Sequence, residues 1–186
     1  MQNGNGTRLA KGMIAGAVGG LVASWFMNVF MESAGQRLQE AVETDADRRQ
    51  AVRERAMQGD EPKPLIPKED ATMKTADRVV EAVTGGRHLS WEQKQVGGPI
   101  VHYAFGTIMG GLYGAAAEYS RVARLGNGTL FGAALFTGAD MVAVPALDLS
   151  SGSGEAPVSS LTKPYAAHLI YGATTEFVRR VVRGVL

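Results

Sequence analysis

The chain has 186 residues, 45% of them hydrophobic, with a formal net charge of +1 and no cysteine. That length can bury a core without a disulfide or metal staple, and the lack of thiols excludes disulfide scaffolds, thiolate metal centres and cysteine nucleophiles. The near-zero charge, with no basic residues interleaved among aromatics, argues against a nucleic-acid partner.

Mean hydropathy is −0.04, but the average conceals a segregated chain. Residues 33–97 carry most of the charge, and the remainder is apolar and rich in glycine. Soluble helices avoid interior glycine, which costs about 1 kcal/mol relative to alanine. Membrane helices exploit it, because small residues let neighbouring backbones approach closely.

Residues 12–31, GMIAGAVGGLVASWFMNVFM, are uncharged between Lys11 and Glu32. At 1.5 Å per residue they reach roughly 30 Å, the thickness of a hydrocarbon core. The run is too long for a signal-peptide h-region, and no small-x-small cleavage site precedes the charged ESAGQRLQE.

Residues 33–97 read as an extramembrane helical insert. QRLQEAVETDADRRQAVRERAMQ predicts a solvated helix with a thin apolar stripe at Leu38, Val42, Val52 and Ala56. GDEPKPLIPKED predicts a linker, since Pro62, Pro64 and Pro67 deny it helical hydrogen bonds. TMKTADRVVEAVTGG places Met73, Ala76, Val79, Val80 and Val83 on one helical face and stops at Gly85 and Gly86, which suit a C-cap. Ser90 with Gln93 forms a capping-box pattern expected to open a short turn, with Trp91 at the depth of interfacial aromatics.

Three further apolar segments follow. Residues 99–119 contain HYAFGTIMGGLYGAAAEY, and residues 128–147 have Asp140 as their only charge. PYAAHLIYGATTEFVRRVVRGVL spans only if Arg179, Arg180 and Arg183 snorkel to the interface. The expected fold is therefore all-α, a polytopic membrane bundle of about four transmembrane helices. Its parts are a tail and first span in 1–32, the charged helical insert with its Pro-rich linker in 33–97, and a three-helix membrane region in 98–186. Arg8, Lys11, Arg121, Arg124 and the three C-terminal arginines outweigh Lys163, alone in the third connection. By the positive-inside rule both termini are expected in the cytoplasm and the insert outside.

Gly12, Gly16 and Gly20 repeat at four-residue spacing, as do Gly106, Gly110 and Gly114, and Gly128 with Gly132. Each series lines one helix side and predicts packing within the chain or against another membrane subunit or a second copy. A phosphate loop is excluded, because no strand precedes them and no Lys-Ser/Thr follows. HYAFG is echoed by HLIYG, and GAAAEY by GATTEF, which hints at a duplication and places His102 and His168 at similar depth near the outer surface.

Asp140, read as lying near mid-span, should face the bundle and find a partner, with His102, His168 and Tyr171 as candidates. His102, Asp140 and His168 could form a titratable cluster, a pH-responsive switch or proton relay, or else an interhelical hydrogen-bond network that fixes packing. Glu118 and Glu176 read as helix-end carboxylates eased by Arg121 and by Arg179 or Arg180 at helical spacing. No two metal ligands sit at local spacing, no cofactor motif is present, and GxSxG, HExxH and paired intramembrane aspartates are all missing. No enzymatic activity is expected.

In order, VHYAFGTIMGGLYGAAAEY, RLGNGTLFGAALFTGADMVAVPALDLS and AAHLIYGATTEFVRR resemble the YagU-like family of bacterial inner-membrane proteins, a domain of unknown function. The similarity covers residues 98–183 and a compatible first span. It implies a multi-pass inner-membrane protein and brings no catalytic residues. The expectation is a structural or accessory protein whose partners are the lipid bilayer and other membrane subunits or a second copy. A proton- or ion-responsive channel or transporter component is the alternative, and a soluble helical bundle a lesser one.

Overall fold

The computed structural model describes residues 3–43, 47–49, 52–53, 69–149 and 158–186, and every regular element among them is helical. Helix α1 (Asn3–Glu32) contains no proline and runs without a break to the charged junction. Helix α2 (Ala34–Val42) turns off at Ser33 and folds back so that Gly35 meets the Lys163 side chain. Val42 and Val52 of the anticipated solvated stripe are exposed. Ala56, Pro62, Pro64 and Pro67 lie outside the described residues.

Helix α3 (Ala71–Thr84) starts where the Asp70 carboxylate accepts the Met73 N–H at 2.8 Å and ends at Gly85, whose φ of 75° is the left-handed conformation glycine adopts freely. Helix α4 (Trp91–Tyr119) opens on the anticipated capping box of Ser90 and Gln93. The box does not open a short turn, however. It begins one 29-residue helix that continues through Pro99, about 43 Å long. A prolyl residue removes one backbone donor, and the long, closely packed helix carries that loss.

After Tyr119 a tight turn passes through Leu125–Gly128 into α5 (Thr129–Leu135). This helix widens into π-helical turns at Phe136–Ala143 and closes with Val144–Ala146. The ring of Pro145 crowds the carbonyl four residues before it, and the wide turns lie directly ahead. Helix α6 (Val158–Val185) completes the chain.

The close approaches fix the topology. Gly16 faces Gly110 and Gly114, and Gly20 faces Gly106, so α1 and α4 are antiparallel. Gly19 faces Thr175 and Lys11 bonds the Leu186 carbonyl, so α1 and α6 are antiparallel as well. Gly128 faces Gly172 and Gly132 faces His168, which pairs α5 with α6 in the same sense. The four long elements thus alternate in direction, with both termini at one end and α2 and α3 at the other.

Small residues line the helix seams, Tyr113, Leu135, Phe136 and Tyr171 are buried among them, and most of the other large apolar side chains face outward. The most buried apolar side chains include Ala15, Ala23, Ala117 and Ala167, whereas Ile14, Leu21, Trp25, Ile108, Leu112 and Phe177 are exposed. Two helical stretches, Asn5–Glu32 and Leu125–Ala146, are long and apolar enough to cross a membrane.

Candidate functional site

The glycine series act at backbone distance. A Cβ added at Gly16 would sit 2.7 Å from the Gly114 Cα, and one at Gly110 would sit 2.7 Å from the Gly20 Cα. Gly12 packs on the Glu118 side chain and the Gly114 carbonyl, and Gly106 on the Ser24 hydroxyl. A second contact of the same kind joins Gly128 and Gly132 to Gly172, whose added Cβ would lie 2.7 Å from the Gly132 nitrogen. Gly172 is absent from the four-residue series because His168 and Glu176, not glycines, stand four residues to either side, although the HLIYG echo marks it. Tyr171 donates to the Gly106 carbonyl at 2.5 Å, tying α6 to the α1–α4 seam.

A polar cluster at the end opposite the termini is assembled from three helices. His168 Nδ1 lies 2.9 Å from the Pro164 carbonyl and 3.8 Å from the Asp140 carboxylate. His102 lies within electrostatic range of both, and of Asp70, the N-cap of α3. Its Nε2 is buried and has no hydrogen-bond partner. Sequence spacing brings out the first three residues; Asp70 was not among them, because its proximity depends on how α3 folds back. Asp140 sits on the π turns, six residues before Ala146 and level with His168. Tyr171, a candidate partner for Asp140, bonds to Gly106 instead.

The two glutamates belong to a second cluster at the other end, and here the structure corrects the sequence reading. Glu118 pairs across helices, with Arg183 of α6 at 2.8 Å and with Arg179 and Arg8 at 3.9 Å, and among the described residues it has no ion pair with Arg121. Glu176 is not a helix-end carboxylate reaching water. Helix α6 continues nine residues beyond it, to Val185, and its side chain is only 1% exposed. Arg179 donates to it at 2.6 and 2.9 Å, Arg180 at 2.6 Å and the Tyr113 hydroxyl at 2.8 Å.

The reason lies in register. Tyr171 meets Gly106 and Arg183 meets Glu118, so α4 and α6 are aligned with an offset of 65 residues. His102 and His168, 66 apart, share a level, as the echo predicts; Glu118 and Glu176, 58 apart, do not. Glu176 lies seven residues further into the bundle, about 10 Å.

A third polar group locks α3 to the start of α4. Asp77 accepts from the Leu89 N–H at 2.6 Å and lies 3.0 Å from Lys94 Nζ and 3.2 Å from His88 Nδ1, and Lys94 also bonds Glu69 at 2.8 Å. Burial alone would push the Asp77 carboxyl up, but the hydrogen bonds from Leu89, Lys94 and His88 together hold it below its ordinary value. The Lys94 ammonium is held above its ordinary value by the hydrogen bond to Glu69 and by Asp77, against the effect of burial. Among the described residues no three His, Asp or Glu side chains converge closely enough to hold a metal ion.

Comparison with protein-family models, curated proteins and solved structures finds no match.

Proposed function

We propose that the chain is a small integral membrane protein of structural or accessory type, with four spanning helices packed through glycine seams. The observation that carries this reading is the inverted distribution of side-chain size. Glycine and alanine line the helix seams around a small core of Tyr113, Leu135, Phe136 and Tyr171, and most of the other large apolar side chains, among them Met13, Val18, Leu21, Phe26, Phe105 and Ile108, point outward. In water that surface would be a large unpaired apolar patch. In lipid it is the expected solvent face, because helix association there depends on close packing rather than on burying large apolar groups. The two most apolar stretches are only 33% and 17% buried, whereas the core helix of a soluble protein would be mostly covered.

The same reading gives the orientation. Arg8, Lys11, Arg179, Arg180 and Arg183 gather at the end that carries both termini, and Arg121 and Arg124 occupy the turn there. By the positive-inside rule that end is cytoplasmic, in a bacterial inner membrane, as the resemblance to the YagU-like family implies. Partners are the bilayer and other membrane subunits or a second copy. Purification in a mild detergent should recover the protein in a larger complex. Recovery only as a lone protein that conducts ions when reconstituted would replace this reading.

A second reading is favoured by the outer cluster: a proton- or ion-responsive element. A buried, unpartnered imidazole nitrogen beside an Asp-His pair on π turns is an arrangement often found at functional positions. Reconstituted vesicles carrying His102→Gln and His168→Gln decide it. The relay requires pH-dependent flux that the double variant abolishes, and flux that is absent or unchanged leaves the cluster as packing glue.

A further inference from the structure

Helix α3 and the first turns of α4 form an antiparallel hairpin, with Gly97 and Gly98 admitting Ala76 and Met73 at contact distance. The two flanks of this hairpin differ in chemistry. On one, Asp77, Lys94, Glu69 and His88 form the polar lock described above. On the other lies an open groove of about 560 Å³ lined mainly by Val79, Val80, Val96, Ile100 and Val101, with Glu92 and Gln93 at the end nearest the start of α4. Val79 is 53% exposed, Val96 63% and Ile100 62%. A hairpin standing in water would present polar groups on both flanks.

The groove does not end with the hairpin. Val96, Ile100, Ile108 and Leu112 are all exposed; four-residue steps turn by about 40° each, so these side chains wind round α4 as an apolar ribbon over about 24 Å, from the groove onto the face assigned to lipid. Residues 95–117 are uncharged, and the charges of the hairpin are confined to Glu92, Lys94 and the far flank. The apolar belt of α4 therefore extends beyond Pro99 by a helical turn and includes the flank of α3.

We propose that α3 is an interfacial helix, not an extramembrane one, and that the upper part of a lipid acyl chain of the non-cytoplasmic leaflet occupies the groove between α3 and α4. This rests on the membrane reading above. Such a helix keeps one face in the headgroup–acyl boundary and its charged face outward, and Trp91 at the start of α4 lies at the level where indole rings concentrate.

The chain has no cysteine, so single-cysteine variants can be labelled uniquely with an environment-sensitive fluorophore. Val79→Cys and Val96→Cys test the groove, Ile108→Cys the spanning face and Glu40→Cys the aqueous phase. Each is reconstituted into phosphatidylcholine–phosphatidylglycerol vesicles containing either shallow or deep nitroxide-labelled lipids, with iodide as the aqueous quencher. The expected result is quenching of positions 79 and 96 by the shallow nitroxide, with iodide quenching several-fold weaker than at position 40. If position 108 is quenched by the deep nitroxide while 79 and 96 respond to iodide like position 40, the interfacial helix is overturned and the membrane bundle stands. Protection of 79 and 96 from both quenchers assigns the groove to a protein contact and overturns the lipid assignment. Failure of lipid quenching at position 108 overturns both readings.

Discussion

Glu176 accepts four hydrogen bonds, one from Tyr113, two from Arg179 and one from Arg180. With Arg179 only 6% exposed, the pair is buried, and removing one partner strands the other charge. Glu176→Gln should therefore destabilise the bundle by about 3–5 kcal/mol, and Tyr113→Phe, which removes one hydrogen bond to a charged acceptor, by about 1.5–3 kcal/mol. Thermal unfolding in detergent micelles reads both. A change under about 0.5 kcal/mol, typical of surface substitutions, would contradict the network. Asp77 gives a prediction in pH. Its folded-state value lies below the unfolded one, so its contribution is present above an unfolded value of about 3.9 and is lost as pH falls through the folded value. Lys94 acts with the opposite sign: its contribution is present below about 10.4 and is lost as pH rises through the raised folded value. Proteolytic protection of the α3–α4 hairpin should fall on the acid side, and Asp77→Asn should flatten that limb; an unchanged acid limb would remove Asp77 from the account. The sequence names Glu176 together with its partners Arg179 and Arg180, which pair with it at i+3 and i+4, but not Tyr113 or the partners of Glu118, because helical spacing reports only neighbours on one helix. The partners of Glu118 come from α1 and α6.

Elements show the same division between what is local and what is not. The N-cap at Asp70, the left-handed stop at Gly85, the capping box at Ser90 and the glycine faces follow from residue type and spacing, and all but the first were read from the sequence; which helices the glycines join, and in which direction, was not. The continuity of α4 through Pro99, the π turns that carry Asp140 and the hairpin that brings Asp70 toward His102 depend on tertiary contacts that no short window contains. The seams can be tested against their own controls. At Gly16 or Gly110 even a methyl group would collide with the backbone of the facing helix, whereas at Gly6 and Gly138 it meets nothing within 4 Å. Gly16→Val and Gly110→Val should separate α1 from α4 and lower the unfolding temperature sharply, while Gly6→Ala and Gly138→Ala should leave it unchanged or slightly higher, since alanine is the better helix former. Equal effects at all four positions would mean that helix propensity, not close approach, governs the seam.

Across the whole molecule, alternating helix direction places the arginine-rich ends together, the histidines together at the opposite end, and large apolar side chains on the outside. Two of the expected apolar segments, now the helical stretches Asn5–Glu32 and Leu125–Ala146, were legible because membrane-length hydrophobic runs are a one-dimensional signal. Which side chains face outward was not, since α1 is apolar around its whole circumference and only the glycine seam distinguishes its faces. Alkaline carbonate extraction of membranes from cells expressing the chain tests the central claim most directly. The account predicts that the protein stays in the pellet and is released only by detergent. Release by carbonate alone would make residues 102–119 part of a soluble or peripheral helix and would contradict the spanning bundle, its orientation and the lipid-filled groove together.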